Sequence, residues 1–185
     1  GYMSTTSALC NTRKYHGLMV LPLENFGGDR HVLLSTLDET IAVDGKEFHL
    51  GVRRFPGVYE PRGHKYLVSF RLAPTPTFVY RVGDVLIQKE LLFVHTKEHL
   101  LVRYTLLEGR GPLRLTIRPF LAFRNSHALA RANMNAEVHF TPVPNGTSGC
   151  LYPGFPTLYM QTNVVSEYVH APDWHYNVEY PEEYK

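Results

Sequence analysis

The chain reads as an all-β protein, an antiparallel β-sandwich with little helix. Three observations predict this. Apolar residues recur with a period of two along most of the chain. Turn signals built on Gly, Pro, Asp and Asn separate those runs at regular intervals. Helical periodicity is scarce, while 12 Tyr and 10 Phe enrich the residue types that strands favour.

Taken in order, Leu18-Met19-Val20-Leu21 is an apolar run entering a core. His31 to Thr40 reads as the next strand, in which the adjacent Asp38 and Glu39 point to opposite faces. Val43-Asp44-Gly45-Lys46 is a hairpin signal, because Asp-Gly accepts the positive φ values of a type I′ turn. Tyr66, Val68, Phe70 and Leu72 alternate with Leu67, Ser69 and Arg71, which predicts one apolar face. Gly83-Asp84 separates a strand over 78–82 from one over 85–94, and Thr96-Lys97-Glu98 reads as the next hairpin turn. Leu100, Val102, Tyr104 and Leu106 alternate with Leu101, Arg103, Thr105 and Leu107, a pattern that predicts cover on both faces. Glu108-Gly109-Arg110-Gly111-Pro112 is expected to close another strand pair, followed by a strand with Leu113, Leu115 and Ile117 on its apolar face. Ser126 to Asn135 is Ala-rich and could form one short helix or helical turn. Pro142 to Pro156 reads as a long loop containing a hairpin. Tyr180-Pro181-Glu182-Glu183-Tyr184-Lys185 has linker chemistry, so one domain is read over 1–180 and the start of a linker over 181–185.

Composition narrows the function. A chain of 185 residues with 44% hydrophobic content can bury one sizeable core. A net charge of +2, without a basic run, gives no footprint for a nucleic acid. No apolar stretch is long enough to span a bilayer, so no membrane partner is expected. Cys10 and Cys150 are too few for a disulfide framework, which makes a reducing compartment the default. Ten His are present, but no Cys/His spacing suits a metal. His95 and His99 flank a turn rather than sharing a helix face. No metal and no cofactor is expected.

The densest chemistry lies at Asn11-Thr12-Arg13-Lys14-Tyr15-His16-Gly17-Leu18. An amide, a hydroxyl, a guanidinium, a phenol and an imidazole fall within six residues, a donor and acceptor set that suits a sugar. Asn11, Thr12, Arg13, Tyr15 and His16 are therefore the candidate substrate-binding residues. Each has a structural reading beside the functional one. Arg13 could tie a loop to the sandwich, and His16 could be a satisfied histidine at a strand start. Tyr15 could simply pack, and Asn11 and Thr12 could close a local turn. Arg124 and His127 could reach the same rim or pack at a domain interface. Trp174, the single Trp, could be a sugar platform, but its place before the linker favours a docking anchor for a neighbouring domain.

The order of residues in the first cluster resembles the signature near the start of the N-terminal domain of bacterial and archaeal glycogen debranching enzymes, which are amylo-α-1,6-glucosidases. His31 to Thr40, Phe55-Pro56-Gly57-Val58, Tyr66 to Phe70, Arg118 to His127 and Trp174 to Tyr180 are similar to later blocks of that domain, in the same order. The resemblance implies a β-sandwich of the supersandwich type, like that of galactose mutarotases. It also implies a helical-toroid catalytic domain in the same polypeptide, which carries the two carboxyl groups that glycoside hydrolysis needs. No acid of this chain is given a catalytic role. The expectation is thus a cytoplasmic, non-catalytic domain that completes an α-glucan cleft with its neighbour. A self-sufficient carbohydrate-binding module is the alternative. A mutarotase-like epimerase, which would need a His and a carboxylate converging on one pocket, rests on fold analogy alone.

Overall fold

The computed structural model describes residues 1–8 and 10–184. Its strands are β1 (Tyr2–Ser4), β2 (Gly17–Pro22), β3 (Arg30–Val43), β4 (Lys46–His49), β5 (Val52–Phe55), β6 (Val58–Arg62) and β7 (Leu67–Arg71). They continue with β8 (Thr77–Val82), β9 (Val85–Val94), β10 (His99–Glu108), β11 (Leu113–Asn125), β12 (Thr141–Val143), β13 (Gly146–Gly149) and β14 (Leu158–Gln161). Every pairing is antiparallel. Three short 3₁₀ turns are the helical content of the described residues.

One sheet runs β1-β2-β3-β11, with β4 also on β3, and a second runs β10-β9-β8-β7. Their inner faces make an all-β sandwich. Leu18, Met19 and Leu21 of β2 and Leu33 and Leu34 of β3 meet Phe78 of β8 and Leu91 and Phe93 of β9. Further along, Ile41 and Val43 of β3 meet Val82, Val85 and Ile87. The 14-residue β3 crosses both clusters and holds the sheet together. Small sheets of β12-β13-β14 and β5-β6 stand beside this frame.

On one edge β3 pairs with β11 from His31 to Val43. On the other, β2 covers only 30–34 and β4 only 40–43. Residues 35–39 therefore face a notch between two strands. Loops bridge it: the Asn11 side-chain amide donates to the Ser35 carbonyl at 3.3 Å, and Leu50 N–H donates to the Glu39 carbonyl at 2.8 Å.

The Asp44-Gly45 turn forms with φ of 49° and 72°, and Val43 faces Lys46. Val82 faces Val85 across Gly83-Asp84, and Val94 faces His99 across 95–98. Asp38 and Glu39 do point to opposite faces, Asp38 to Arg53 on β5 and Glu39 into the core against Lys89. Four expectations need correction. The 108–112 turn does not close a pair: β10 lies in the second sheet and β11 in the first, so this segment crosses between layers. Residues 126–135 form no helix. The Asn125 side chain accepts from His127 N–H at 2.8 Å, and Asn133 does the same for Asn135, so local turns win over a nucleus this short. In β7 the register slips between Leu67 and Ser69, which breaks the alternation. Leu67 packs against the core; Phe70 lies 4.9 Å from Phe78 across the strand pair but is exposed, as are Val68 and Leu72. In β10, Leu100, Val102 and Tyr104 face inward, but Leu101, Leu106 and Leu107 are exposed, so the outer face is uncovered in this chain.

Candidate functional site

The loop over 11–16 enters β2 at Gly17, and its turn is closed internally. His16 N–H donates to the Arg13 carbonyl at 3.1 Å, and His16 Nδ1 accepts from Thr12 N–H at 3.3 Å. An acceptor at Nδ1 requires the proton of the neutral ring to sit on Nε2. Burial first, and then the Arg13 charge, hold His16 below its ordinary pKa, with Glu183 opposing them. Tyr15 is exposed, its ring edge-on to His16 at 5.2 Å, and its carbonyl accepts from the Tyr2 hydroxyl at 3.0 Å.

The polar residues of the cluster do not converge. Asn11 turns inward, is buried, and bonds both the carbonyl and the hydroxyl of Ser35. Thr12, Arg13 and Lys14 face the other way and hold the C-terminal segment. The Thr12 carbonyl accepts from Glu182 N–H at 3.0 Å. Arg13 Nη1 donates to the Glu182 carbonyl, and Nη2 lies 3.7 Å from its carboxylate. Lys14 N–H donates to Glu183 Oε1 at 3.1 Å, while its ammonium stands 3.4 Å from Oε2. The Lys14 N–H, followed by the charges of Lys14 and Arg13, holds the Glu183 carboxyl below its ordinary pKa. A second clasp lies nearby, where Glu179 N–H donates to the Arg54 carbonyl at 2.8 Å and Arg54 Nε meets Glu179 Oε2 at 3.1 Å. Residues 181–184 form a 3₁₀ turn in this embrace. Lys185, counted with them as linker from the sequence, lies outside the described residues.

Arg124 does reach this rim. From the end of β11 it donates to the Lys14 carbonyl at 2.6 Å and the Ala128 carbonyl at 2.7 Å, with its guanidinium 5.8 Å from the Tyr180 ring centre. It is buried and acts as the keystone between loop and tail. His127 is exposed on the following turn, and its backbone N–H is what bonds Asn125. Trp174 is half-buried on the extended segment before Glu179. Its neighbour His175 packs 4.6 Å from Phe120, and burial lowers its pKa, with Arg53 adding to the effect.

Two groups of residues escape a reading of the loop alone. Glu179, Glu182 and Glu183 are the acidic partners of Arg54, Arg13 and Lys14; the sequence signal is a basic pair at 13–14 and an acidic pair at 182–183. The other group is a charged cluster between the sheets. Lys89 Nζ lies 2.6 Å from Glu39 Oε1, and the Tyr104 hydroxyl donates to the same oxygen at 2.5 Å. Glu39 is 3% and Lys89 9% exposed. Both stand in phase with apolar positions of their strands, Glu39 with Ile41 and Val43, Lys89 with Ile87 and Leu91, which is the pattern that marks them. His64 lines one cavity with Asp38 and Glu39. Both carboxylates are already engaged by cations, Arg53 and Lys89.

Cys10 is buried and free, and burial raises its thiol pKa. Among the described residues, no helix is long and apolar enough to cross a membrane.

The family model for the N-terminal region of glycogen debranching enzyme matches residues 1–185, the whole chain. No curated protein and no solved structure matches the chain.

Proposed function

The chain belongs to the glycogen debranching enzyme N-terminal family, and on that premise we propose that it is the non-catalytic partner of an α-1,6-glucosidase domain in the same polypeptide. An N-terminal domain of this family implies a larger chain with a catalytic domain. The loop over 12–16 supplies one wall of the α-glucan cleft that forms between the two. Tyr15 offers an exposed aromatic face, His16 a neutral imidazole and Arg13 a guanidinium about one-third exposed beside Glu182. Clefts at domain junctions are common sites for such ligands.

The observation that carries this reading is the clasp of Thr12, Arg13 and Lys14 on Glu182 and Glu183. It sets the polar loop beside the tail, so whatever is joined to the tail starts next to the loop. Arg124 holds the loop and the tail together from inside, and Trp174, half-buried on the segment before Glu179, serves as packing for the neighbour. The two unpaired thiols suit a reducing compartment, and we place the protein in the cytoplasm.

The test is kinetic and uses the full-length enzyme. Tyr15→Ala and His16→Ala are expected to raise KM or lower kcat on an α-1,6-branched dextrin with little loss of melting temperature. The 185-residue chain alone is expected to release no glucose. Wild-type kinetics in both variants, or robust glucose release by the isolated chain, overturns the proposal.

A further inference from the structure

A strand at the end of a sheet leaves a row of backbone donors and acceptors unmet, and stable proteins blunt such edges with short strands, slips, charges or Pro. Three of the four end strands of the sandwich are blunted in this way. β1 has three residues and a shifted register. β7 has five residues and slips after Leu67. β11 carries Arg114, Arg118 and Pro119 and loses register twice after Phe120.

β10 is the exception. It keeps an unbroken register on β9 from His99 to Leu106, contains neither Lys nor Pro, and has its one irregularity near its end, a bulge at Leu107. Among the described residues, its far side pairs with no strand and no loop backbone bonds to 99–108. Its Arg and its Glu are answered within its own sheet: Arg103 donates to Glu90 at 2.6 and 2.9 Å, and Arg81 donates to Glu108 at 2.9 Å. Leucines mark its open face. Leu101 is 54% and Leu107 46% exposed, and Leu92 of β9, opposite Leu101, is exposed beside them.

The sequence of the strand selects its occupant. Two copies of one strand meet antiparallel about a two-fold axis that passes through a single residue, because residues of the same face must stand opposite each other. With the axis at Tyr104, Leu101 stands opposite Leu107 of the second copy, and the symmetry repeats the contact. Arg103 stands opposite Thr105, so no like charges oppose. Glu98 and Arg110 lie exposed beyond the two ends of the strand and hold no ion pair among the described residues. The same axis brings these opposite charges together at both ends. An axis at Arg103 would set that guanidinium against its own copy, a repulsive pair. An axis at Thr105 would set Leu101 against Gly109 and lose the leucine contact.

We infer that β10 is a self-recognition edge: two copies of this chain pair β10 to β10 about an axis at Tyr104 and join their second sheets into one of eight strands, four from each. Backbone hydrogen bonds supply the contact, as in other cases of strand addition, while Leu101 with Leu107 and Glu98 with Arg110 set the register. The two-fold closes the assembly, because it uses up the open edge of both copies. One strand pair is small for a specific interface, so the dimer is weak and reversible. None of the residues involved belongs to the 12–16 loop or to the tail clasp, and the inference stands apart from the glucan reading.

The experiment is sedimentation velocity of the 185-residue chain in low salt, from about 1 to about 300 µM. A reversible monomer–dimer equilibrium is expected, with nothing larger. Leu101→Lys, at an exposed position, should weaken the dimer about tenfold or more, because the symmetry applies the change twice. Glu98→Arg sets like charges at both ends and should weaken it severalfold, and Glu98→Arg/Arg110→Glu should restore it. Should Leu101→Lys unfold, these two charge variants, both placed outside the strand, decide instead. A chain that stays monomeric over the whole range overturns the proposal and leaves the edge to a different partner. Growth beyond the dimer, a dimer indifferent to Leu101→Lys, a single charge reversal without effect, or a double reversal that recovers nothing each overturn it as well. None of these outcomes touches the kinetic test of Tyr15 and His16 in the full-length enzyme.

Discussion

Arg13→Ala is the substitution that reports on the tail clasp. The change removes the donor to the Glu182 carbonyl and the ion pair to the Glu182 carboxylate. The pair is about one-third exposed on both sides, which limits its worth to roughly 0.2–1 kcal/mol. The charge-assisted hydrogen bond to a carbonyl adds about 1 kcal/mol net. A loss of about 1–2 kcal/mol follows, and it falls on the tail rather than on the core, because neither contact touches the buried clusters. Amide hydrogen exchange separates the two, since local opening is read residue by residue. Glu182 N–H, bonded to the Thr12 carbonyl, should exchange about 5–30 times faster in the variant. Val32 and Leu91, in the core, should keep their rates. Arg13→Lys should recover only part of the protection, because an ammonium keeps the charge but not the planar fork. Unchanged exchange at Glu182, or equal acceleration at Val32, would refute the clasp.

Three further outcomes are expected. Lys89→Met strands Glu39 in the core and should cost about 3–5 kcal/mol in urea unfolding, whereas Lys89→Met/Glu39→Leu should recover most of it; equal damage from both would mean that the pair is not what matters. Acid should loosen the tail. His16 has a lowered pKa, so the unfolded state binds the proton more readily, and stability is complete above the ordinary value of 6.5 and lost as pH falls through the lower folded value. Glu183 acts in the same direction from its ordinary 4.5 downward, so Glu182 exchange, corrected for intrinsic rates, should rise between pH 7 and 4, and a flat profile would contradict both assignments. Gly63→Ala should destabilise by about 3 kcal/mol or more, because its Cβ would lie 1.9 Å from the Leu50 carbonyl oxygen; a melting temperature within a degree of wild type would disprove that approach.

Much of the frame was legible because strand periodicity and turn chemistry are local. Asp44-Gly45 needs only its own dihedral preferences, and Asp38 and Glu39 take opposite faces by strand geometry alone. The helix expected over 126–135 lost to local Asn turns, and the other failures depended on distant partners. The slip in β7 is set by its pairing with β8, so the alternation from Tyr66 to Leu72 could not reveal that Val68 ends outside. The 108–112 segment resembles any hairpin turn until β11 is seen against β3. The site followed the same division. The polar density of 11–16 was visible, but its division between Asn11 inside and Arg13 outside is fixed by Ser35 and Glu182, which lie 24 and 169 residues away.

The tail clasp has a mechanical consequence. Its backbone links, Glu182 to Thr12 and Glu179 to Arg54, are few and sit between a loop and a single extended segment. A pull on the tail would open them one after another, as in peeling. The β3–β11 ladder, paired from one end of β3 to the other, would have to give along its length at once. Tension arriving through residues 179–183 is therefore spent at the clasp before it reaches the sandwich. The junction would behave as a fuse: under load the tail would lift away and settle back, and the fold that carries the loop would stay intact while it did.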